Sequence, residues 1–164
     1  MKTLDDFKDD FKMMTQILGK GAFAEVQKCQ SKINGEMLAA KIVEKEGLSD
    51  KDLDNFRTEV AVLEQLDHPM ISKYYQVYEN ESKAYLVTEL CPGTDLFTDL
   101  EENEFLYDET KASIIIRQIL EAVAYCHDKG IVHRDIKPDN IMIDVDSEEA
   151  IKLIDFGLSH EVAI

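Results

Sequence analysis

The chain has 164 residues and sets 34 acidic side chains against 18 basic ones, a formal charge of −16, with 45% hydrophobic residues. That is enough chain and enough apolar content for one folded domain rather than a disordered segment, and a surface this acidic repels phosphate backbones and anionic lipid, which excludes nucleic acid and membrane as expected partners. Cys29, Cys91 and Cys126 are too scattered for a disulfide framework or metal knuckle, no apolar run is long enough to span a bilayer, and the acidic start is unlike a targeting peptide, which predicts a soluble, cytoplasmic protein.

The first third reads as extended chain. Residues 12–18 run into Gly19-Lys20-Gly21, and residues 22–29 resume the pattern. Asn34-Gly35 is a strong hairpin signal, since both central residues of such a turn take positive φ, and it leads into a strand over 37–43. Ser49 or Asp50 caps a helix predicted to end near Leu66, with Leu53, Phe56, Val60 and Leu63 on one stripe, and His68-Pro69 stops it. Strands follow over 71–78 and 84–90. After Cys91-Pro92-Gly93 the pattern turns helical, first over 95–102 and then over 108–129, with Gly130 as the natural stop. The long helix carries Ala112, Ile115, Ile116, Ile119, Leu120, Val123 and Cys126 on its stripe and Ile114 and Tyr125 on the far side, so burial on more than one side is expected. Short strands over 141–145 and 151–154 close the readable part.

Gly19-Lys20-Gly21-Ala22-Phe23-Ala24 is either a plain tight turn or a phosphate cradle, because glycines let backbone N–H groups approach oxygens. A strand, not a helix, follows, which excludes the dinucleotide fingerprint, and Lys20 is followed by Gly21 rather than Ser or Thr, which excludes a Walker A loop. Lys41 sits inside an apolar strand, and Glu59 borders the buried stripe of the next helix. Either alone near an interior is costly, so the two are expected to pair, against the default of a snorkelling lysine and a solvated glutamate.

Further on come His133-Arg134-Asp135-Ile136-Lys137-Pro138-Asp139-Asn140 and then Asp155-Phe156-Gly157. In this order, behind a glycine loop and a strand lysine, they resemble the protein-kinase signature set across nearly the whole chain, from about Phe11 to Ile164. The run Leu66-Asp67-His68-Pro69 and the segment Tyr85-Leu86-Val87-Thr88-Glu89-Leu90 look most like calcium/calmodulin-dependent or calcium-dependent kinases of the serine/threonine class.

The resemblance implies an α+β, bilobal fold: residues 1–90 a five-stranded lobe with one helix, and residues 91–164 a hinge with the first part of a helical lobe. It implies ATP and Mg²⁺ as cofactors. Gly19 and Gly21 would cover the phosphates, Lys41 would hold the α and β phosphates, and Glu59, chosen over Glu64 by its spacing to His68-Pro69, would orient Lys41. Asn140 and Asp155 would carry Mg²⁺. Asp135 would take or steer the acceptor-hydroxyl proton, and Lys137 would neutralise the γ-phosphate. Leu18, Val26, Ala39 and Met142 match adenine-wall positions, Glu89 to Cys91 the hinge and Thr88 the gatekeeper. Asp95 and Asp139 fall beside the substrate channel, Asp95 also among the nucleotide-binding residues, and His133 and Phe156 belong to the stacked spine. Lys41, Asp135, Asn140 and Asp155 are thus expected to converge on one magnesium-bound triphosphate between two lobes.

The expected partner is a protein bearing Ser or Thr. Seven acids and no base, Asp95, Asp99, Glu101, Glu102, Glu104, Asp108 and Glu109, fit either a preference for basic residues near the target or a solvated acidic face. Ala24 stands where the family has a third glycine, and Tyr74 where it has an aliphatic spine residue. The chain stops seven residues after Gly157, which leads to the expectation of a truncated domain with an exposed apolar helix prone to self-association. The alternative function is a kinase-like chain that binds nucleotide or a partner without phosphotransfer.

Overall fold

The computed structural model describes residues 2–21, 24–144 and 150–162. Ala22 and Phe23 of the glycine loop, Val145 at the end of the expected strand 141–145, and Ile164 lie outside these residues. The chain divides into two compact units, one of Met1–Val60 with Tyr74–Leu90 and one of Ala61–Lys73 with Cys91–Ile164.

The first unit runs α1 (Leu4–Asp10), β1 (Phe11–Lys20), β2 (Ala24–Ser31), β3 (Met37–Glu44), α2 (Asp50–Leu63), β4 (Tyr74–Glu79) and β5 (Lys83–Glu89). The five strands form one antiparallel sheet in the order β1-β2-β3-β5-β4. The β2–β3 connection is wider than the two-residue hairpin expected. Only Gly35 takes positive φ, 74°, because the Asn34 side chain closes the turn instead, accepting from the Glu36 N–H at 3.0 Å. Ser49 caps α2 reciprocally with Asp52: the Asp52 N–H donates to Ser49 Oγ at 3.2 Å and the Ser49 N–H to Asp52 Oδ2 at 3.1 Å. The helix ends at Leu63, one turn short of the expected Leu66.

Helix α1 was not expected from the sequence. Its seven residues offer too short a window for periodicity, and it is fixed by a Thr3–Asp6 capping box and by what it covers. Phe7 and Phe11 stack with ring centres 5.4 Å apart, and Phe7 meets Tyr78 and Tyr85 edge-on at 5.4 and 4.8 Å. With Cys29, Leu38, Ala40 and Val87 they make the core on one face of the sheet. Asp10 Oδ2 fastens the helix end, accepting from the Tyr78 hydroxyl and Lys2 Nζ, both at 2.7 Å.

The second unit holds β6 (Thr94–Asp95), α3 (Leu96–Glu102), α4 (Glu109–Asp128), β7 (Ile131–Val132), a 3₁₀ turn (Pro138–Asn140), β8 (Ile141–Ile143), β9 (Ile151–Leu153) and β10 (His160–Glu161). β6, β8 and β9 form one antiparallel sheet, and β7 pairs with β10. Gly130, at φ 72°, ends α4 as expected. The helix buries Ile115, Ile119, Ala122 and Cys126 but leaves Ile116 and Leu120 exposed at 54% and 61%, so the covered stripe is narrower than predicted. Its Tyr125 holds the 67–68 loop: the hydroxyl accepts from the Asp67 N–H at 2.9 Å, and the ring packs on His68 at 4.8 Å. The strand expected from residue 71 begins only at Tyr74. β9 takes the backbone just before it, with Leu153 N–H donating to Met70 O at 2.8 Å and Ser72 N–H to Leu153 O at 3.0 Å.

Candidate active site

In the first unit the strand register decides which side chains share a face. Val26 and Leu86 lie opposite Lys41, Thr88 lies opposite Ala39, and Gly19 lies opposite Val26. Paired residues point the same way, so Val26, Ala39, Lys41, Leu86 and Thr88 share the face opposite the one that α1 covers. Leu18 at the end of β1 is 41% exposed, and Glu89 closes β5.

Lys41 Nζ donates to both Glu59 oxygens, at 2.7 and 2.8 Å. The Glu59 side chain is 5% exposed and that of Lys41 27%, so this is a largely desolvated pair in which each charge excuses the other. Glu64, the alternative by sequence, is exposed.

The glycines at the β1–β2 turn are not demanded by the fold around them. Neither takes positive φ; among the described residues a Cβ on Gly19 would meet no atom within 4 Å beyond its chain neighbours, and one on Gly21 only the Ala24 carbonyl, at 3.5 Å. Backbone free of side chains at these two positions is what a close approach to a ligand requires.

In the second unit the segment between β7 and β8 is built around Asp135. The Asn140 amide donates to the Asp135 carbonyl at 2.9 Å and to its Oδ2 at 2.8 Å, and Lys137 Nζ sits 2.9 Å from the same Oδ2. The Lys137 bond, helped by Asn140, holds the Asp135 carboxyl below the usual carboxylate range and raises Lys137 in turn. Asp135 therefore stays ionised and Lys137 protonated at neutral pH.

His133 is buried and its nitrogens are occupied. Nδ1 accepts from the Asp135 N–H at 3.2 Å, which leaves Nε2 to donate to the Ile154 carbonyl at 3.1 Å. Burial pushes its pKa down, and its ring meets Phe156 edge-on at 4.6 Å. This histidine is a packing group with a fixed tautomer. The Ile154 N–H donates to the Asn140 carbonyl at 2.9 Å, tying the Asp135 loop to the chain that carries Asp155.

Four non-glycine residues among those described take positive φ, and two of them are Arg134 at 66° and Asp155 at 58°. Such backbone costs on the order of 1 to 3 kcal/mol per residue and persists where surroundings enforce it, often at functional sites. Around Arg134, Nε donates to the Leu158 carbonyl at 2.5 Å; around Asp155, Oδ1 accepts from the Gly157 N–H at 3.2 Å. Ser159, which lies outside the recognised motifs, is buried and its hydroxyl donates to the Phe156 carbonyl at 2.5 Å. A hydroxyl residue just past Asp-Phe-Gly was the available signal.

Asp95, placed by sequence beside nucleotide and substrate, is the N-cap of α3 and accepts from the Thr98 N–H at 2.9 Å and hydroxyl at 2.7 Å. Burial pushes its carboxyl up, but those bonds outweigh it and the net shift is down. Asp95 pairs in register with half-buried Met142. Two more of the seven acids are spoken for: Asp108 caps α4, and Asp99 faces Lys111 at 3.6 Å. Among the described residues no three His, Cys, Asp or Glu side chains gather into a metal cage. Asn140, whose amide nitrogen is engaged, presents Oδ1, and Asp155 a carboxylate. A hard cation sharing its remaining sites between phosphate and water fits such a sparse oxygen set.

The first unit thus holds a lysine locked to a helical glutamate, and the second a carboxylate clamped between lysine and asparagine. The chain belongs to the protein kinase family: the family model described as "Protein kinase domain" matches residues 13–164. It is 41% identical over 163 residues to "Calcium/calmodulin-dependent protein kinase type II" of Caenorhabditis briggsae, covering 99% of this chain and 30% of that protein. It is 37% identical over 156 residues to "Calcium-dependent protein kinase 5" of Plasmodium berghei, covering 94% and 27%. It is 40% identical over 157 residues to "Maternal embryonic leucine zipper kinase" of Xenopus laevis, covering 94% and 24%. The chain thus spans less than a third of the length of these relatives.

Proposed function

We propose that this chain carries the ATP-binding and phosphotransfer residues of a serine/threonine protein kinase. The observation that supports it best is the Asp135 carboxylate, shared by Lys137 and Asn140 and kept ionised at neutral pH. In this reading the Asp135 carboxylate takes the proton of a Ser or Thr hydroxyl as its oxygen bonds to the γ-phosphorus of ATP. The bond from that phosphorus to the β-phosphate bridging oxygen breaks, and ADP leaves. Lys137 offsets the charge growing on the transferred group.

Lys41, held by Glu59, binds the α and β phosphates, and Gly19 and Gly21 let backbone approach them. Val26, Ala39 and Met142 supply apolar walls for adenine, with Leu18 at the rim, Thr88 at the back and the 89–91 backbone for its polar edge. Asn140 and Asp155 hold Mg²⁺, which when bound neutralises phosphate charge. The exposed acids Glu101, Glu102, Glu104 and Glu109, together with Asp95, favour a substrate with basic residues near the target. The buried thiols of Cys29 and Cys126 support a reducing, cytoplasmic setting, and among the described residues no helix is long and apolar enough to cross a membrane. Exposed Ile116 and Leu120 offer a face for self-association.

The test combines thermal stabilisation by Mg-ATP with transfer of labelled γ-phosphate to an arginine-containing Ser/Thr peptide. Both are expected, and Asp135→Asn should abolish transfer while sparing stabilisation. Stabilisation without transfer by the unsubstituted chain selects nucleotide binding alone; no stabilisation overturns the assignment.

A further inference from the structure

Apart from the residues assigned to phosphotransfer, the first unit has a groove of about 490 Å³ between α1 and the sheet face it covers. Its apolar walls are Leu4 and Phe7 from α1 and Met13, Ile42 and Tyr85 from the sheet. The wall on the helix side is firmly set, by the Thr3–Asp6 capping box, the Phe7 ring edge-on to Tyr85 at 4.8 Å, and the Asp10 bonds to Tyr78 and Lys2. A volume in this range, apolar and aromatic with a few polar groups at the margin, is that of small-molecule sites.

Two of those polar groups are cations, Lys8 from the helix and Lys83 from β5. Both share the groove lining with Tyr85. Their partners are solvated: Lys8 with Asp5 at 2.9 Å, side chains 74% and 89% exposed, and Lys83 with Glu44 at 2.5 Å, 40% and 56% exposed. Exposed pairs of this kind add little to stability and exchange readily for another anion. Asp5, the one carboxylate among the lining residues, is already matched with Lys8.

We propose that this groove binds a small flat apolar molecule bearing one carboxylate, its ring against Phe7, Met13 and Ile42 and its carboxylate met by Lys8, Lys83 and the Tyr85 hydroxyl. Neither Lys41 nor any residue assigned to phosphotransfer lines it, so the site is separate from the nucleotide chemistry.

The probe is 2-naphthoate, titrated into the isotope-labelled 164-residue chain while amide shifts are followed. Saturable shifts are expected in residues 3–13, around Ile42 and in residues 80–85. The neutral analogue 2-naphthalenemethanol should bind about tenfold more weakly, a difference of about 1.4 kcal/mol. The double variant Lys8→Gln/Lys83→Gln, changed only at solvated side chains, should lose naphthoate affinity by the same factor. Absence of saturation to about 5 mM, far weaker than a built site gives, overturns the proposal. So do equal affinity for acid and alcohol, or shifts centred elsewhere. Should the double variant unfold, the acid-to-alcohol ratio on the unsubstituted chain still decides.

Discussion

The Asn140 side chain grips Asp135 twice, its amide nitrogen reaching the carbonyl at 2.9 Å and the carboxylate at 2.8 Å. Asn140 is buried, so its removal leaves the Asp135 carbonyl short of a donor inside the unit. Asn140→Ala should cost about 1 to 3 kcal/mol of stability, read from urea unfolding. It should also remove the magnesium dependence of any ATP-induced stabilisation. Full stability in this variant would mean that water replaces the amide and the clamp is dispensable.

Lys41 and Glu59 make a separable pair. Glu59→Ala strands the half-buried Lys41 charge and should cost about 1 to 3 kcal/mol, below the figure for a fully buried pair because Lys41 reaches solvent. It should also lower the affinity for Mg-ATP. Glu64→Ala, on an exposed position of the same segment, should stay within about 0.5 kcal/mol of the unsubstituted chain. Equal losses from both variants would remove the distinction drawn between the two glutamates.

His133 makes stability depend on pH in a definite direction. Burial holds its folded pKa below the unfolded value of 6.5, so between the two the unfolded chain binds more protons. The stability it contributes is present above pH 6.5 and is lost as the pH falls through the window down to its folded pKa. Urea midpoints should therefore drop from pH 7.5 to pH 5, and His133→Phe should flatten that slope. Asp135 acts lower down. Its folded pKa lies below 3.8, so its contribution persists above that value and disappears only in stronger acid.

Asp155 separates backbone strain from charge. At φ 58° an asparagine is nearly as well tolerated as aspartate, so Asp155→Asn should leave unfolding within about 0.5 kcal/mol while abolishing Mg-ATP stabilisation. Asp155→Ala should lose the ligand response and about 1 kcal/mol of stability besides, since alanine resists that conformation. Retained ligand response in the asparagine variant would detach Asp155 from the metal.

The long helix α4 and the strands on either side of Asn34-Gly35 were legible because each carries a full period of apolar positions. So was the pairing of Lys41 with Glu59, since two opposite charges bordering interior surface have few other fates. Three things were hidden. Leu4 and Phe7 give α1 only one helical repeat, too little to register. Asp95 and Asp108 read as members of an acidic run although each directly precedes a helix and caps it, so a charge count masked a positional signal. The strand expected from Ile71 starts late because residue 72 bonds to Leu153, a partner 81 positions away that no local pattern announces. The left-handed backbone of Arg134 is likewise imposed from outside, as arginine does not favour it, whereas aspartate at 155 is one of the few non-glycine types that adopts it readily.

Helix α1 also bears on where this chain can be cut. The family match begins at residue 13, beyond Phe7 and Phe11. A protein trimmed to that homology boundary would strip two rings from Tyr78 and Tyr85 and bare a greasy aromatic wall to water. Such a trimmed chain should precipitate where the longer one stays dispersed, and its failure would be a fault of the trimming.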